Sequence, residues 1–190
     1  MSFRVLHVCT GNICRSPMAE HLMRAGLQRL RGGAAAFEVA SAGTMGFTGE
    51  PMQPYAGSTL ASYDVDGSAF RARGLLAEHV AGADLVLTAA RAHRAAVVVL
   101  QPRAAARTFA LREFARLTSG VEPGSLPRGD AEQRARALVR AAAGNRGLVP
   151  PASPADDDLE DPYQAREPAF IACAALVQQA LQGPLDLLVG

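Results

Sequence analysis

The chain has no lysine and no tryptophan, only three cysteines, and almost no net charge. All 19 basic residues are arginine. Together with abundant alanine this reflects composition and carries no functional weight. A formal charge of +1 creates no field that would draw nucleic acid or an anionic membrane. No apolar run reaches the 18 or more residues that a spanning helix needs. The N-terminus, Met1-Ser2-Phe3-Arg4, lacks the basic segment and apolar core of a signal peptide. Three cysteines do not make a disulfide scaffold. The expectation is a cytoplasmic protein with reduced thiols, no metal and no cofactor. No internal repeat is evident.

What is present is an apolar fraction of 49% in 190 residues, enough for one domain, 1–190, with a proper core. Phe3 to Val8 reads as a buried strand ending at turn chemistry. Ser16 and Pro17 suit an N-cap and first helical position. Ala19, Leu22, Met23, Gly26 and Leu30 then share one face, and Gly32-Gly33 ends the helix. Phe37 to Ala42 is a second strand, followed by the loop GTMGFTGEP. A weaker helix covers about 56–62. Ala83 to Ala89 is a third strand, Arg91 to Leu100 a helix, and TFALREF a fourth strand and turn. Strands alternating with helices at this spacing predict an α/β fold: a parallel sheet with helices on both faces. The last helix spans about 167–182. Phe170, Cys173, Ala174, Val177 and Leu181 form its core stripe, so Cys173 reads as a buried small hydrophobe.

Between Thr118 and Ala155 prolines and glycines punctuate the chain around one helix. Asp130 is its N-cap, Gln133 stands at the capping-box position and Gly144 is the stop. Ala131, Ala135, Leu138, Val139 and Ala142 make its apolar face. The segment 118–155 reads as an inserted helical arm or lid.

The stretch VCTGNICRSPMAE carries the chemistry. Cys9 lies at the carboxyl end of a strand, where open α/β sheets bind ligands. The amides of a tight loop entering a helix make an anion cradle, reinforced by the helix dipole. Gly11 and Asn12 tolerate the positive φ that such a cradle demands. The cradle and Arg15 favour the ionised form of a thiol held there. Arg15 supplies a two-pronged donor for a tetrahedral phosphate, and Ser16 can hydrogen-bond the thiolate. Nucleophile, amide cradle and guanidinium are the parts needed to attack phosphorus and hold the charge that develops. A lone cysteine at a strand end is usually structural, but Cys9 and Arg15 across a Gly/Asn turn are hard to explain that way.

The leaving group needs a proton. In DDDLEDPYQ, Asp156 and Asp157 read as solvated loop or helix-cap residues, and no spacing matches a known metal loop. Asp161 stands out because Pro162 restricts its conformation and so fixes the aim of its carboxyl.

The loop, with Cys9, five intervening residues, Arg15 and Ser16, resembles the active-site loop of the low-molecular-weight protein tyrosine phosphatases. VASAGT (39–44), DGSAFRAR (66–73), ADLVLTAARAH (83–93) and LREF (111–114) also fit that family, whereas 118–155 lies outside its usual pattern. The resemblance implies a three-layer fold with a four-stranded parallel sheet and a phosphate loop after the first strand. Here the helical insertion precedes the acid loop. It implies hydrolysis of aryl phosphomonoesters through a cysteinyl-phosphate: Cys9 as nucleophile, Asp161 as general acid and Arg15 as clamp. Thr10, Gly11, Asn12, Ile13, Cys14, Arg15 and Ser16 would bind phosphate, Ser41 would support Asn12, and Phe47 and Tyr163 would flank the substrate ring. A packing role under its own loop is the other reading of Phe47. Cys14, beside Cys9, is a candidate partner in a reversible disulfide; an inert packing thiol is the alternative. The implied partner is a tyrosine-phosphorylated protein or a small aryl phosphate, met by a monomer or weak dimer. Phe70 and Ala90 replace a histidine and an acidic residue of some members, which predicts altered loop support. Two rivals stand beside this reading. Arsenate reduction would need relay thiols near the third strand, where this chain has none. A phosphate-binding module without turnover would not need Asp161.

Overall fold

In the computed structural model, which describes residues 2–29 and 33–189, the apolar runs become four strands. They are β1 (Phe3–Cys9), β2 (Phe37–Gly43), β3 (Leu85–Thr88) and β4 (Thr108–Ala110). All pairings are parallel and the order is β2-β1-β3-β4. Every strand is therefore joined to the next by a crossover, which puts helices on both faces. Among the described residues the α-helices are α1 (Arg15–Arg29), α2 (Gly33–Ala36), α3 (Pro54–Ala61), α4 (Ala77–Gly82), α5 (Arg91–Leu100), α6 (Leu111–Thr118), α7 (Ala131–Gly144) and α8 (Glu167–Val189).

Strand alternation divides the core. Phe3 and Val5 of β1 join Met18, Leu22, Phe114, Leu138 and Val177 from α1, α6, α7 and α8 in one cluster. Leu6 and Val8 join Val80, Val86, Val97 and Ala104 in the other, under α4 and α5. The three-layer fold expected from the sequence is the one observed. β1 is central, so the loop at its carboxyl end opens between the two helical layers.

Several local expectations are corrected. Ser16 is not the helix cap: α1 already begins at Arg15, and the Ser16 hydroxyl is engaged by the loop instead. Leu30 and Gly32 lie outside the described residues, and Gly33 opens the short α2. LREF starts α6 rather than a turn, because Glu113 accepts from the Ala110 amide at 3.0 Å and closes the helix start. α8 runs past Gly183 and through Pro184 to Val189. Pro184 costs one helical hydrogen bond, but Leu185, Leu187 and Leu188 are buried beyond it, and that burial favours continuing the helix.

The helix read as an arm or lid is α7, and it neither stands off nor covers the loop. Its buried Ala135, Leu138, Val139 and Ala142 belong to the larger core cluster, against α6 and α8. Asp130 accepts from the Glu132 and Gln133 amides, at 2.9 and 3.2 Å, and starts it. Arg136 lies over the Phe3 ring and pairs with Asp84 at 2.8 Å. Phe3 begins β1 and Asp84 precedes β3, so α7 closes the amino end of the sheet, opposite the Cys9 loop. Arg134, which the sequence pattern did not place in the core, is 4% exposed. Its guanidinium donates to the carbonyls of Pro123, Pro127 and Leu187, which ties α7 to the end of α8.

Candidate active site

β1 delivers Cys9 to the loop, and the neighbouring loop holds that turn open. The carbonyls of Cys9, Thr10, Gly11 and Ile13 accept from the amides of Thr44, Met45, Phe47 and Gln53 at 2.9–3.0 Å. In a trans peptide the N–H points opposite the carbonyl. Four carbonyls turned outward thus turn the N–H groups of residues 10, 11, 12 and 14 inward. One of them, from Asn12, donates to Cys9 Sγ at 3.3 Å.

Asn12 takes the strained conformation, with φ 57°. Gly11 does not; instead, a Cβ there would come within 2.7 Å of the Phe47 ring. Gly11 thus gives the Phe47 ring room to lie against the loop, and its dihedral is ordinary. Gly43 plays a similar part, since a Cβ on it would run into the Thr10 carbonyl and meet the Asn12 nitrogen at 2.9 Å. The Asn12 side chain is fully buried and fully used. Its Nδ2 donates to Ser41 Oγ at 2.7 Å and Ser16 Oγ at 2.9 Å, and its Oδ1 accepts from the Arg73 amide at 2.9 Å. Ser16 Oγ in turn lies 3.0 Å from Cys9 Sγ. The sulfur therefore sits at the end of a polar chain running Ser41–Asn12–Ser16–Cys9.

Arg15 is 5% exposed. It donates through Nη1 to the Leu159 carbonyl at 3.3 Å and through Nη2 to Thr10 Oγ1 at 3.4 Å and Asp161 Oδ2 at 2.5 Å. Its Nε has no hydrogen-bond partner among the described residues. Asp161 Oδ1 accepts from the Tyr163 amide at 3.2 Å. The Asp161 segment is anchored to the sheet: the Leu159 amide donates to the Ala89 carbonyl at 2.8 Å, just past β3. Asp158 accepts from the Arg91 amide at 2.7 Å and pairs with its guanidinium at 3.0 Å. Asp157 is not a solvated loop residue. It is 6% exposed and pairs with Arg116 at 2.8 Å. Asp156 receives the Ser153 amide at 2.7 Å, a cap of the kind expected.

Phe47 and Tyr163 are both partly exposed and stack at 6.5 Å with 30° between their planes, one from each loop. Phe70 packs edge-on against His21. Cys14 and Cys173 are buried, unbridged thiols. Burial, and then the Cys9 and Asp161 charges, push Cys14 up to about 12. Burial does the same for Cys173. Among the described residues no group of three His, Cys, Asp or Glu side chains could hold a metal. No described helix is long and apolar enough to cross a membrane.

Two contacts had no sequence signal. One is the Leu159 carbonyl on Arg15, which any residue type could supply. The other is His93, whose Nε2 lies 2.9 Å from Thr10 Oγ1 although 83 positions separate the two.

Known proteins share this sequence pattern and fold. The profile described as low molecular weight phosphotyrosine protein phosphatase matches residues 4–122. The low molecular weight protein-tyrosine-phosphatase of Streptomyces coelicolor is 32% identical over 190 aligned positions, covering 97% of this chain and 93% of its own. The protein-arginine-phosphatase of Geobacillus stearothermophilus is 36% identical over 120 residues, 63% of this chain and 76% of its own. The crystal structure of the low molecular weight protein tyrosine phosphatase from T. tengcongensis superposes with a TM-score of 0.71 at 30% identity, over 97% of this chain and 99% of that one. The chain belongs to the low molecular weight protein tyrosine phosphatase family.

Proposed function

We propose that this protein hydrolyses phosphotyrosine, in a protein or a small aryl phosphate, through a cysteinyl-phosphate on Cys9. The observation that carries the reading is the meeting of Cys9, Arg15 and Asp161 at one loop: a sulfur in contact with the Asn12 amide and the Ser16 hydroxyl, and a buried guanidinium that holds the Asp161 carboxylate. In the first step the Cys9 thiolate attacks phosphorus as the P–O bond to the phenol breaks. Asp161, entering as the acid, gives its proton to the departing oxygen. In the second, Asp161 takes a proton from water, whose oxygen attacks phosphorus and returns the thiolate. Arg15 and the loop amides of residues 10–15 hold the equatorial oxygens throughout. The electrons and protons balance without a metal or organic cofactor.

Arg15 Nη2 and Asp161 share a 2.5 Å contact, so an incoming phosphate takes over a donor that the acid now occupies. That exchange frees the carboxyl to face the leaving group. Phe47 and Tyr163 form an apolar slot suited to a phenyl ring. The arginine-phosphatase relative favours phosphoarginine as a second substrate class, separable by assaying phosphotyrosine and phosphoarginine peptides side by side. For arsenate reduction the one thiol outside the loop, Cys173, is buried and pushed up to about 12, a poor relay. We place the protein in the cytoplasm as a monomer or weak dimer, with 118–155 as an insertion within one domain.

Phenyl phosphate hydrolysis by Cys9→Ser and Asp161→Ala tests the assignment. The first should be inactive, and the second slower by about 10²–10⁴-fold, the usual worth of a positioned acid. Near-native rates in either variant mean that the roles are misassigned.

A further inference from the structure

Arg15 is only partly supported by the protein. A guanidinium has five N–H donors, yet its Nε has no partner among the described residues, and one Nη2 contact is to Asp161. When a phosphate takes that contact, two protein supports remain: the Leu159 carbonyl at 3.3 Å and Thr10 Oγ1 at 3.4 Å. Thr10 is itself held from the far side. His93, in the first turn of α5, places Nε2 2.9 Å from the same hydroxyl oxygen.

The state of that ring follows from its surroundings. His93 is 9% exposed. Burial first, and then the Arg15 charge, hold it below the ordinary histidine range, against the opposing pull of Asp161 and Asp158. The ring is neutral near neutral pH and carries one N–H. Nδ1 is buried without a partner. A proton there would be an orphaned buried donor, the costlier arrangement. The proton therefore belongs on Nε2 and is donated to Thr10. Arg15 can only donate as well, so both lone pairs of the Thr10 hydroxyl are taken. Its own proton is left for an acceptor in the site.

We propose that His93 is a positioning residue for the phosphate clamp: it fixes the Thr10 hydroxyl, which holds Arg15 Nη2 in the orientation that receives a phosphoryl oxygen. The inference rests on the reading of Arg15 as the phosphate ligand. It adds a residue from α5, outside the loop, to the machinery. His93 touches neither phosphorus nor thiolate, so its effect passes through Thr10 and reaches ligand affinity before the chemical step.

Inorganic phosphate binding, measured by calorimetry on the full chain, tests this. His93→Ala should weaken binding about tenfold, the worth of one hydrogen bond involving a charged neighbour. His93→Gln, whose amide N–H reaches toward the same oxygen, should recover most of the loss. Thr10→Val should lose as much as His93→Ala, and the double variant no more than Thr10→Val alone. Native affinity in His93→Ala, losses that multiply in the double variant, or no recovery with Gln would each overturn the proposal. Should His93→Ala fold poorly, native phosphate affinity in a well-folded Thr10→Val overturns it equally. A native protein that binds phosphate but hydrolyses no aryl ester defeats the proposed activity and leaves this comparison intact.

Discussion

At the scale of single residues, the two thiols of the phosphate loop are chemically unlike. Cys9 accepts a hydrogen bond from the Asn12 amide and lies 3.0 Å from the Ser16 hydroxyl. Cys14 is buried, and the charge at Cys9 adds to the burial that pushes it up to about 12. Oxidation of Cys9 by peroxide to a neutral sulfenic acid removes that like charge. Burial still holds Cys14 up, but one opposing charge is gone, and Cys14 can attack the Cys9 sulfur, its proton and the sulfenic hydroxyl leaving as water as the disulfide closes. The expected product of mild peroxide treatment is a Cys9–Cys14 bridge, seen by peptide mass spectrometry and reversed by dithiothreitol. Direct conversion of Cys9 to sulfinic acid, with Cys14 still free, would show that Cys14 only packs.

At the scale of elements, the site depends on two loops joined by few contacts. The phosphate loop is braced along its length by residues 44–53, whereas the Asp161 segment is anchored just upstream, by Leu159, the Asp158–Arg91 pair and the Asp157–Arg116 pair. Burial raises the Asp158 carboxyl, but the Arg91 hydrogen bonds and charge outweigh this and hold it below the usual carboxylate range. The sign is that of a depressed acid. The anchor is complete above the ordinary carboxylate pKa and is lost as pH falls through the lower folded value. Asp158→Asn should mis-aim Asp161 and lower kcat about tenfold, as small displacements of reacting groups do, with phosphate inhibition unchanged. An unchanged kcat would show that the anchor is dispensable.

The same scale shows what the sequence made legible. Cys9, Arg15 and Asp161 are legible as candidates because their types and spacing carry chemistry, and β1–β4 because buried parallel strands read as apolar runs. The path of α8 through Pro184 was not, because helix-stopping residues speak locally while Leu185 and Leu188 act through the core. Nor was the packing of α7: its apolar stripe gave the helix, but not which end of the sheet would receive it. His93 escaped notice because a histidine in an amphipathic helix is ordinary until the chain folds Thr10 against it.

For the whole molecule, all four histidines have lowered affinities for protons. His7 is the extreme case: burial, and then Arg24, bring it down to about 3. It lies in β1, 1% exposed, with Nε2 3.3 Å from Met23 Sδ. Between about pH 6.5 and 3 the unfolded chain holds a proton at His7 that the folded chain refuses. Stability must therefore fall with falling pH, by about 1.4 kcal/mol per unit from this group. Urea unfolding at pH 5 and 7 checks it. The native protein should lose more stability than His7→Phe over that interval; equal losses would mean that His7 does not set the slope.

The central claim is that phosphorus passes through Cys9 sulfur. Acid quenching of the protein during turnover of a radiolabelled aryl phosphate, followed by peptide mapping, measures this directly. The predicted result is label on the peptide carrying Cys9, absent in Cys9→Ser and accumulating in Asp161→Ala with a substrate whose leaving group needs no acid. Sustained hydrolysis with no label on Cys9, or undiminished turnover in Cys9→Ser, would contradict it.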